Sequence, residues 1–269
     1  MTWAEAMRYV AQRLSPVTDE AWEESRLIIR RLSGMDRGGI FLDQTELGED
    51  VVRRIEDIVE RRLKHEPVQY ILGEWGFMGF DLTVTPAALI PRQDTETLCE
   101  EAISVIRGRG YKTLLDICTG TGCIAISLNK LTGISAEASD ISEECVCLAR
   151  ENALKNGAEV SIRRADLFDG AGVYDLVTAN PPYISAADMD SLQPEVRSEP
   201  ALALFGGADG LDFYRSIAAE AGEHIAPGGA LLLEVGCDEA EPVRAMFPGR
   251  ETRAIKDLNG IDRVVEIRF

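Results

Sequence analysis

The chain has 269 residues, 45% of them hydrophobic and 6% aromatic, ordinary for a folded protein and enough for one large domain or a large and a small one. Its formal charge of −18 argues against a broad phosphate-binding surface, because such surfaces depend on clustered Lys and Arg, so no direct nucleic-acid partner is expected. No apolar run reaches about 18 residues, and Met1-Thr2-Trp3-Ala4-Glu5 lacks the basic and apolar regions of a signal peptide, so a cytoplasmic protein with no membrane partner is expected.

The first 65 or so residues read as three helices. Trp3, Met7, Val10 and Leu14 share one helical face, which Ser15-Pro16 ends. Thr18 is placed to cap a second helix, with Trp22, Ile28, Ile29 and Leu32 as its apolar surface and Gly34 as its stop. Ile40-Phe41-Leu42 reads as a short apolar connection, and a third helix from about Leu47 to Lys64 carries Val51, Ile55, Ile58, Val59 and Leu63. The expected organisation is a helical bundle over 1–70, a β-hairpin linker over 71–88 and an α/β domain over 89–269.

In the linker, Gly73, Gly76 and Gly79 punctuate Trp75, Phe77, Phe80, Leu82 and Val84 with period-two alternation. It leads into Leu89-Ile90-Pro91-Arg92 and a helix carrying Leu98, Ala102, Val105 and Ile106. Arg92, Asp94 and Glu96 fit a solvated helix start, where acidic groups suit the dipole, or the mouth of an active site.

From Thr113 the pattern alternates strand and helix. Leu114–Ile117 reads as a buried strand, followed by the tight loop Cys118-Thr119-Gly120-Thr121-Gly122 and a helix. Further strands are expected at Ile134–Ser139, Val160–Ile162, Tyr174–Ala179, Ala230–Val235, near Thr252–Ile255 and at Arg263–Ile267. Seven strands with helices between the early ones indicate a doubly wound sheet, and the late pair around Asn259-Gly260 an antiparallel edge hairpin.

Two strand ends carry the chemistry. Tyr174–Ala179 stops at Asn180-Pro181-Pro182-Tyr183, and sites in open α/β sheets lie at such ends. Asn180 offers a side-chain carbonyl, and Pro181 a backbone carbonyl whose direction is stiffened by the fixed proline φ. Two acceptors held in this way take both N–H donors of an amide or exocyclic amine, and Tyr183 adds an aromatic surface for a planar group. The glycine loop lets a ligand approach the backbone at a helix N-terminus. Asp140, ending the next strand, suits two ribose hydroxyls, and Asp166-Leu167 an adenine amino group and face, although both acids also suit helix caps. The short loop, the amine holder on the fourth strand and the edge hairpin favour S-adenosyl-L-methionine over a nicotinamide cofactor. The fold class is therefore a seven-stranded, Rossmann-like class I methyltransferase domain behind a small helical bundle.

Six cysteines include no Cys-x-x-Cys pair and the only histidines are His65 and His224, so neither a metal site nor disulfides are expected. The thiols should be buried and reduced, and the histidines should lie at the surface or at helix ends.

At these motifs the chain resembles the PrmC/HemK family, the protein-(glutamine-N(5)) methyltransferases of peptide chain release factors. The resemblance covers Glu66–Gly73, Ile90-Pro91-Arg92 with Thr95-Glu96, the glycine loop, Asn180–Ile184, Glu199–Leu204, Gly207-x-x-Gly210-Leu211 and Asp257-x-x-Gly260-x-Asp262-Arg263. It implies cofactor contacts from Cys118, Thr119, Gly120, Thr121, Gly122, Asp140, Leu167 and Asn180. It also implies that Asn180, Pro181, Pro182 and Tyr183 hold the glutamine of a class I release factor's Gly-Gly-Gln loop; Arg92 is a candidate substrate contact at the mouth, and nothing in the sequence demands more than a monomer. Cys118 stands where the family usually has glycine, Gln93 and Asp94 where Pro and Glu are usual, and Leu167 where some relatives carry an aromatic. The competing readings are an N-methyltransferase acting on an exocyclic amine of adenine or guanine in nucleic acid, and a nucleotide-sensing module without turnover.

Overall fold

The computed structural model describes all 269 residues. They form two compact units, Met1–Gly73 with Gln193–Ser198, and Glu74–Leu192 with Glu199–Phe269. No helix is long and apolar enough to cross a membrane.

The first unit is helical. Helix α1 (Trp3–Leu14) begins with a capping box in which Thr2 accepts from the Glu5 N–H and the Glu5 carboxylate accepts from the Thr2 N–H. Its Trp3, Met7, Val10 and Leu14 are buried at the spacing the sequence displays. Helix α2 (Ala21–Ser33) buries Ile28 and Ile29 and ends at Gly34 in the left-handed conformation. Two expectations fail here. Thr18 accepts from the Glu20 N–H and shapes the turn before the helix, which starts without a side-chain cap, and Trp22 is 46% exposed.

Residues expected to form a bare connection make helix α3 (Arg37–Leu42), because Asp36 accepts from the Gly39 N–H. It buries Ile40 and leaves Leu42 82% exposed, so the three apolar residues do not form one apolar face. Helix α4 (Glu49–Arg62) buries Ile55, Ile58 and Val59, and a short helix α5 (Val68–Leu72) follows Pro67. Within this unit Arg62 is buried and forks onto Glu24 at 2.8 and 3.1 Å, while its other arm reaches Glu195 at 2.8 Å. His65, in the turn after α4, lies 3.2 Å from the same Glu195 oxygen.

The second unit opens with strands β1 (Glu74–Phe77) and β2 (Phe80–Thr83), an antiparallel pair that buries Phe77 and Leu82. Then come α6 (Gln93–Arg109), β3 (Thr113–Ile117), α7 (Cys123–Thr132), β4 (Ser135–Asp140), α8 (Glu143–Asn156), β5 (Val160–Arg164) and β6 (Tyr174–Ala179). After α9 (Ala186–Met189) and two short 3-10 turns follow α10 (Asp212–His224), β7 (Ile225–Glu234), α11 (Ala240–Ala245), β8 (Glu251–Lys256) and β9 (Asp262–Arg268).

The seven-stranded sheet has the order β5-β4-β3-β6-β7-β9-β8, parallel except for β9, which is antiparallel to both neighbours. Alternating strand residues feed two cores. Leu114, Leu176, Leu232 and Val264 pack with α6, α7 and α8, whereas Leu115, Val177, Leu231, Leu233 and Val265 pack with α10 and α11. Chain order reverses at β3, which pairs with β4 on one side and β6 on the other. That reversal opens a crevice beyond the carboxyl ends of β3 and β6, the two strands that carry the glycine loop and Asn-Pro-Pro-Tyr.

The cysteines divide. Cys99, Cys123 and Cys145 are buried as expected, Cys118 is half-buried, but Cys147 on α8 and Cys237 after β7 are exposed. His224 ends α10 and stacks on Phe168.

Candidate active site

The crevice holds a cavity of about 250 Å³ within the second unit. Of the residues the sequence singles out, Arg92, Cys118, Thr119, Gly120, Thr121, Asp140, Asp166, Leu167, Asn180 and Pro182 line it. Gly122, Pro181 and Tyr183 do not. Gly122 starts α7 at φ +82°, and a Cβ there would meet Ile126 and Ala149 at 3.0 and 3.1 Å. Tyr183 packs back against the sheet core on the α10 side, and burial pushes its phenol well up.

The glycine loop is anchored by two carboxyl groups. Asp116, fully buried at the end of β3, accepts from the Thr119 hydroxyl at 2.6 Å and the Thr178 hydroxyl at 2.7 Å. Burial still pushes it up to about 7 against these hydrogen bonds. Asp140 accepts from the Gly120 N–H and the Ser142 N–H, both at 2.9 Å, and burial raises it too. An ionised carboxylate has about four acceptor positions, which Asp140 also shares with the Ile141 N–H and the Cys145 thiol, so a diol would meet it alongside donors of the protein. Cys118 sits at φ +56°, in the left-handed region where a side chain is strained. Asn152 of α8, fully buried, ties the loop to the hairpin by donating to the Thr121 and Thr83 carbonyls and accepting from the Thr83 N–H. An apolar wall (Ala88, Ile124, Leu167, Leu202), a glycine backbone and a carboxylate fit a nucleoside with an aliphatic tail.

At the other end of the cavity, Asn180 Nδ2 donates to Thr95 Oγ1 on α6 at 3.2 Å. With its N–H end held by Thr95, Asn180 has its carbonyl oxygen as the acceptor end. The loop backbone is clamped from behind. A Cβ at Gly206 would lie 2.7 Å from the Pro182 carbonyl oxygen, and one at Gly210 would lie 2.5 Å from that of Tyr183. Ile184 N–H donates to the Leu204 carbonyl and Gly206 N–H to the Ile184 carbonyl, which makes this contact a short bridge. Gly206 and Gly210 therefore form the seat of Asn-Pro-Pro-Tyr, while Gly207 lies against the Asp212 side chain.

Arg92 is committed to Glu199, whose second oxygen accepts from the Ile90 N–H at 3.0 Å. Burial raises Glu199, and Arg92 opposes the rise. Reading the sequence assigns no role to Thr95, Glu199, Asn152 or Glu234. A signal for Glu234 is present there, since a carboxyl group closes an otherwise apolar strand, Ala230-Leu231-Leu232-Leu233-Glu234.

Residues 5–73 match the family model described as PrmC N-terminal domain, and residues 100–195 match Methyltransferase small domain. A release factor glutamine methyltransferase of Geobacter sulfurreducens is 42% identical over 250 residues, covering 90% of this chain and 87% of the relative. One of Deinococcus radiodurans is 37% identical, covering 91% and 90%. Among solved structures, a methyltransferase from Pyrococcus furiosus shares the fold at a TM-score of 0.54 and 18% identity, covering 82% of this chain and 98% of its own. The cavity between the glycine loop and Asn-Pro-Pro-Tyr belongs to an enzyme that uses S-adenosyl-L-methionine, and identity sustained over nine-tenths of the length places the chain in the release factor glutamine methyltransferase family.

Proposed function

We propose that the chain methylates the side-chain nitrogen of the glutamine in the Gly-Gly-Gln motif of class I peptide chain release factors, acting on the protein directly and as a monomer. The observation that carries this reading is the Asn180 amide, held by Thr95 at the end of β6 beside the cofactor loop. Residues 1–70 dock the release factor, 71–88 link, and 89–269 carry the chemistry.

S-adenosyl-L-methionine supplies the electrophilic methyl group. Cys118, Thr119, Gly120 and Thr121 would hold it through the loop backbone, with Gly122 turning the chain into α7 behind them, Asp140 would take the ribose hydroxyls, and Asp166 and Leu167 the adenine. The acceptor nitrogen is a poor nucleophile, because its lone pair is delocalised into the adjacent carbonyl. Asn180 Oδ1 and the Pro181 carbonyl accept its two N–H groups, which orients the nitrogen and favours the positive charge that develops as it attacks. One preorganised contact of this kind is worth about 3 kcal/mol, and positioning contributes separately. The N-methylated amide cation is strongly acidic and loses its proton without a dedicated base. Pro182 lines the cavity and Tyr183 supports the loop from behind. Arg92, fixed by Glu199, forms the mouth.

The test is to incubate the protein with labelled S-adenosyl-L-methionine and a purified class I release factor and to map the label by peptide mass spectrometry. Label on the Gly-Gly-Gln glutamine is expected. Label confined to added RNA or DNA would transfer the site to an exocyclic amine of adenine or guanine.

A further inference from the structure

Glu234 ends β7 and is 1% exposed, yet it forms no ion pair and its Oε2 has no hydrogen-bond partner. An unpaired buried carboxyl is costly, and an apolar residue would fill the same space more stably. Its position follows from the sheet. Ala179 pairs with Leu233 in the parallel β6–β7 register, so the next step along both strands sets Asn180 beside Glu234. The Thr95 hydroxyl and the Asn180 amide, themselves hydrogen-bonded to each other, favour its ionised form. Thr95 is itself 2% exposed.

Thr95 alone cannot orient Asn180. A hydroxyl accepts from Nδ2 or donates to Oδ1 equally well, so either face of the amide satisfies it. A carboxylate only accepts. Once the Thr95 hydrogen points at Glu234, its oxygen is left as an acceptor, and only the NH2 end of Asn180 fits against it.

We propose that Glu234, acting on the Asn180 amide directly and through Thr95, is the positioning residue that fixes this amide with its carbonyl towards the acceptor nitrogen. The inference rests on the function proposed above. A flipped amide would turn N–H groups towards the N–H groups of the substrate, so the relay converts a two-way side chain into a one-way acceptor. Glu234 must be ionised to act, and burial pushes it up to about 7, with Thr95, Arg263 and Asn180 pulling the other way. The ionisable groups around it are Asp94 and Cys99 on α6, Cys123 on α7, Arg263 on β9, Tyr214 on α10 and Tyr183.

The test compares Glu234→Gln, Thr95→Val and Thr95→Ser with the wild type. The amide introduced by Glu234→Gln keeps the shape of the carboxylate but both donates and accepts, so kcat should fall about tenfold or more with the KM for S-adenosyl-L-methionine unchanged. Thr95→Val should behave alike and Thr95→Ser should recover most of the rate. The wild-type kcat should fall as pH drops through about 7, where Glu234 takes up its proton, and that fall should shrink in Glu234→Gln to the part left by Asp116, which takes up its proton in the same range. In the ¹⁵N-labelled protein without acceptor, the Asn180 side-chain amide, assigned by its loss in Asn180→Ala, should give one sharp proton pair in the wild type. In Glu234→Gln it should broaden or double. Unchanged kcat and an intact acid limb in Glu234→Gln, or an unchanged Asn180 signal, would overturn the relay. A wild type that leaves the release factor unlabelled would instead sink the substrate assignment, while the amide signal still decides the relay.

Discussion

The loops after β3 and β6 lie side by side at the sheet's reversal point but are built in opposite ways. The loop Cys118–Gly122 is made mainly of backbone. It carries three positive φ angles, at Cys118, Gly120 and Gly122, and is tied by Asp116 and Asp140 from the strand before it and the neighbouring one. The loop Asn180–Tyr183 has no positive φ. It is stiff through its prolines and is clamped by residues that follow much later, Gly206, Gly210 and Gly236. A ligand that must be approached by backbone N–H groups favours the first construction, whereas a side chain that must present one atom favours the second.

The largest effect should come from Asn180→Ala. Removing the amide should lower kcat by roughly a hundredfold or more while leaving S-adenosyl-L-methionine binding nearly intact. Equal losses in both, measured by steady-state kinetics and calorimetry, would mean that the two loops form a single unit.

Gly210→Ala tests the clamp without touching the cavity. The new Cβ, 2.5 Å from the Tyr183 carbonyl oxygen at a residue with φ +82°, should cost about 1–3 kcal/mol of stability. It should also lower kcat far more than cofactor affinity, because it displaces the acceptor loop and not the glycine loop. A variant with wild-type kcat would show that the acceptor loop does not depend on this packing.

The smallest effect, and one of opposite sign, should follow Cys118→Gly. Relieving the left-handed Cβ at φ +56° should stabilise the protein by about 1 kcal/mol, offset in part by the greater freedom of glycine in the unfolded chain. A melting temperature raised by roughly 2–4 °C with unchanged kcat is expected. A fall in cofactor affinity would instead give the Cys118 side chain a role at the cavity.

The residues themselves determined what depends on near neighbours. The apolar spacing of Trp3, Met7, Val10 and Leu14 states a helix face, the glycines around Phe77 and Phe80 state a hairpin, and Asn180-Pro181 ends a strand in any context. The family was legible for the same reason, since its motifs are short and contiguous. Local rules also misled where two competed. Thr18 has the chemistry of a cap but spends it on the turn before the helix, and Asp36 capped a helix where an apolar triplet pointed to a connection.

Tertiary structure alone decided which distant residues meet. Register between β6 and β7 puts Glu234 beside Asn180, α6 brings Thr95 to the same amide, and the turn at 206–210 supplies the seat of the acceptor loop. None of these pairings has a spacing in the sequence that announces it. Each is set by how two layers of apolar side chains, Leu114, Leu176 and Leu232 on one face and Leu115, Val177 and Leu233 on the other, lock adjacent strands in place.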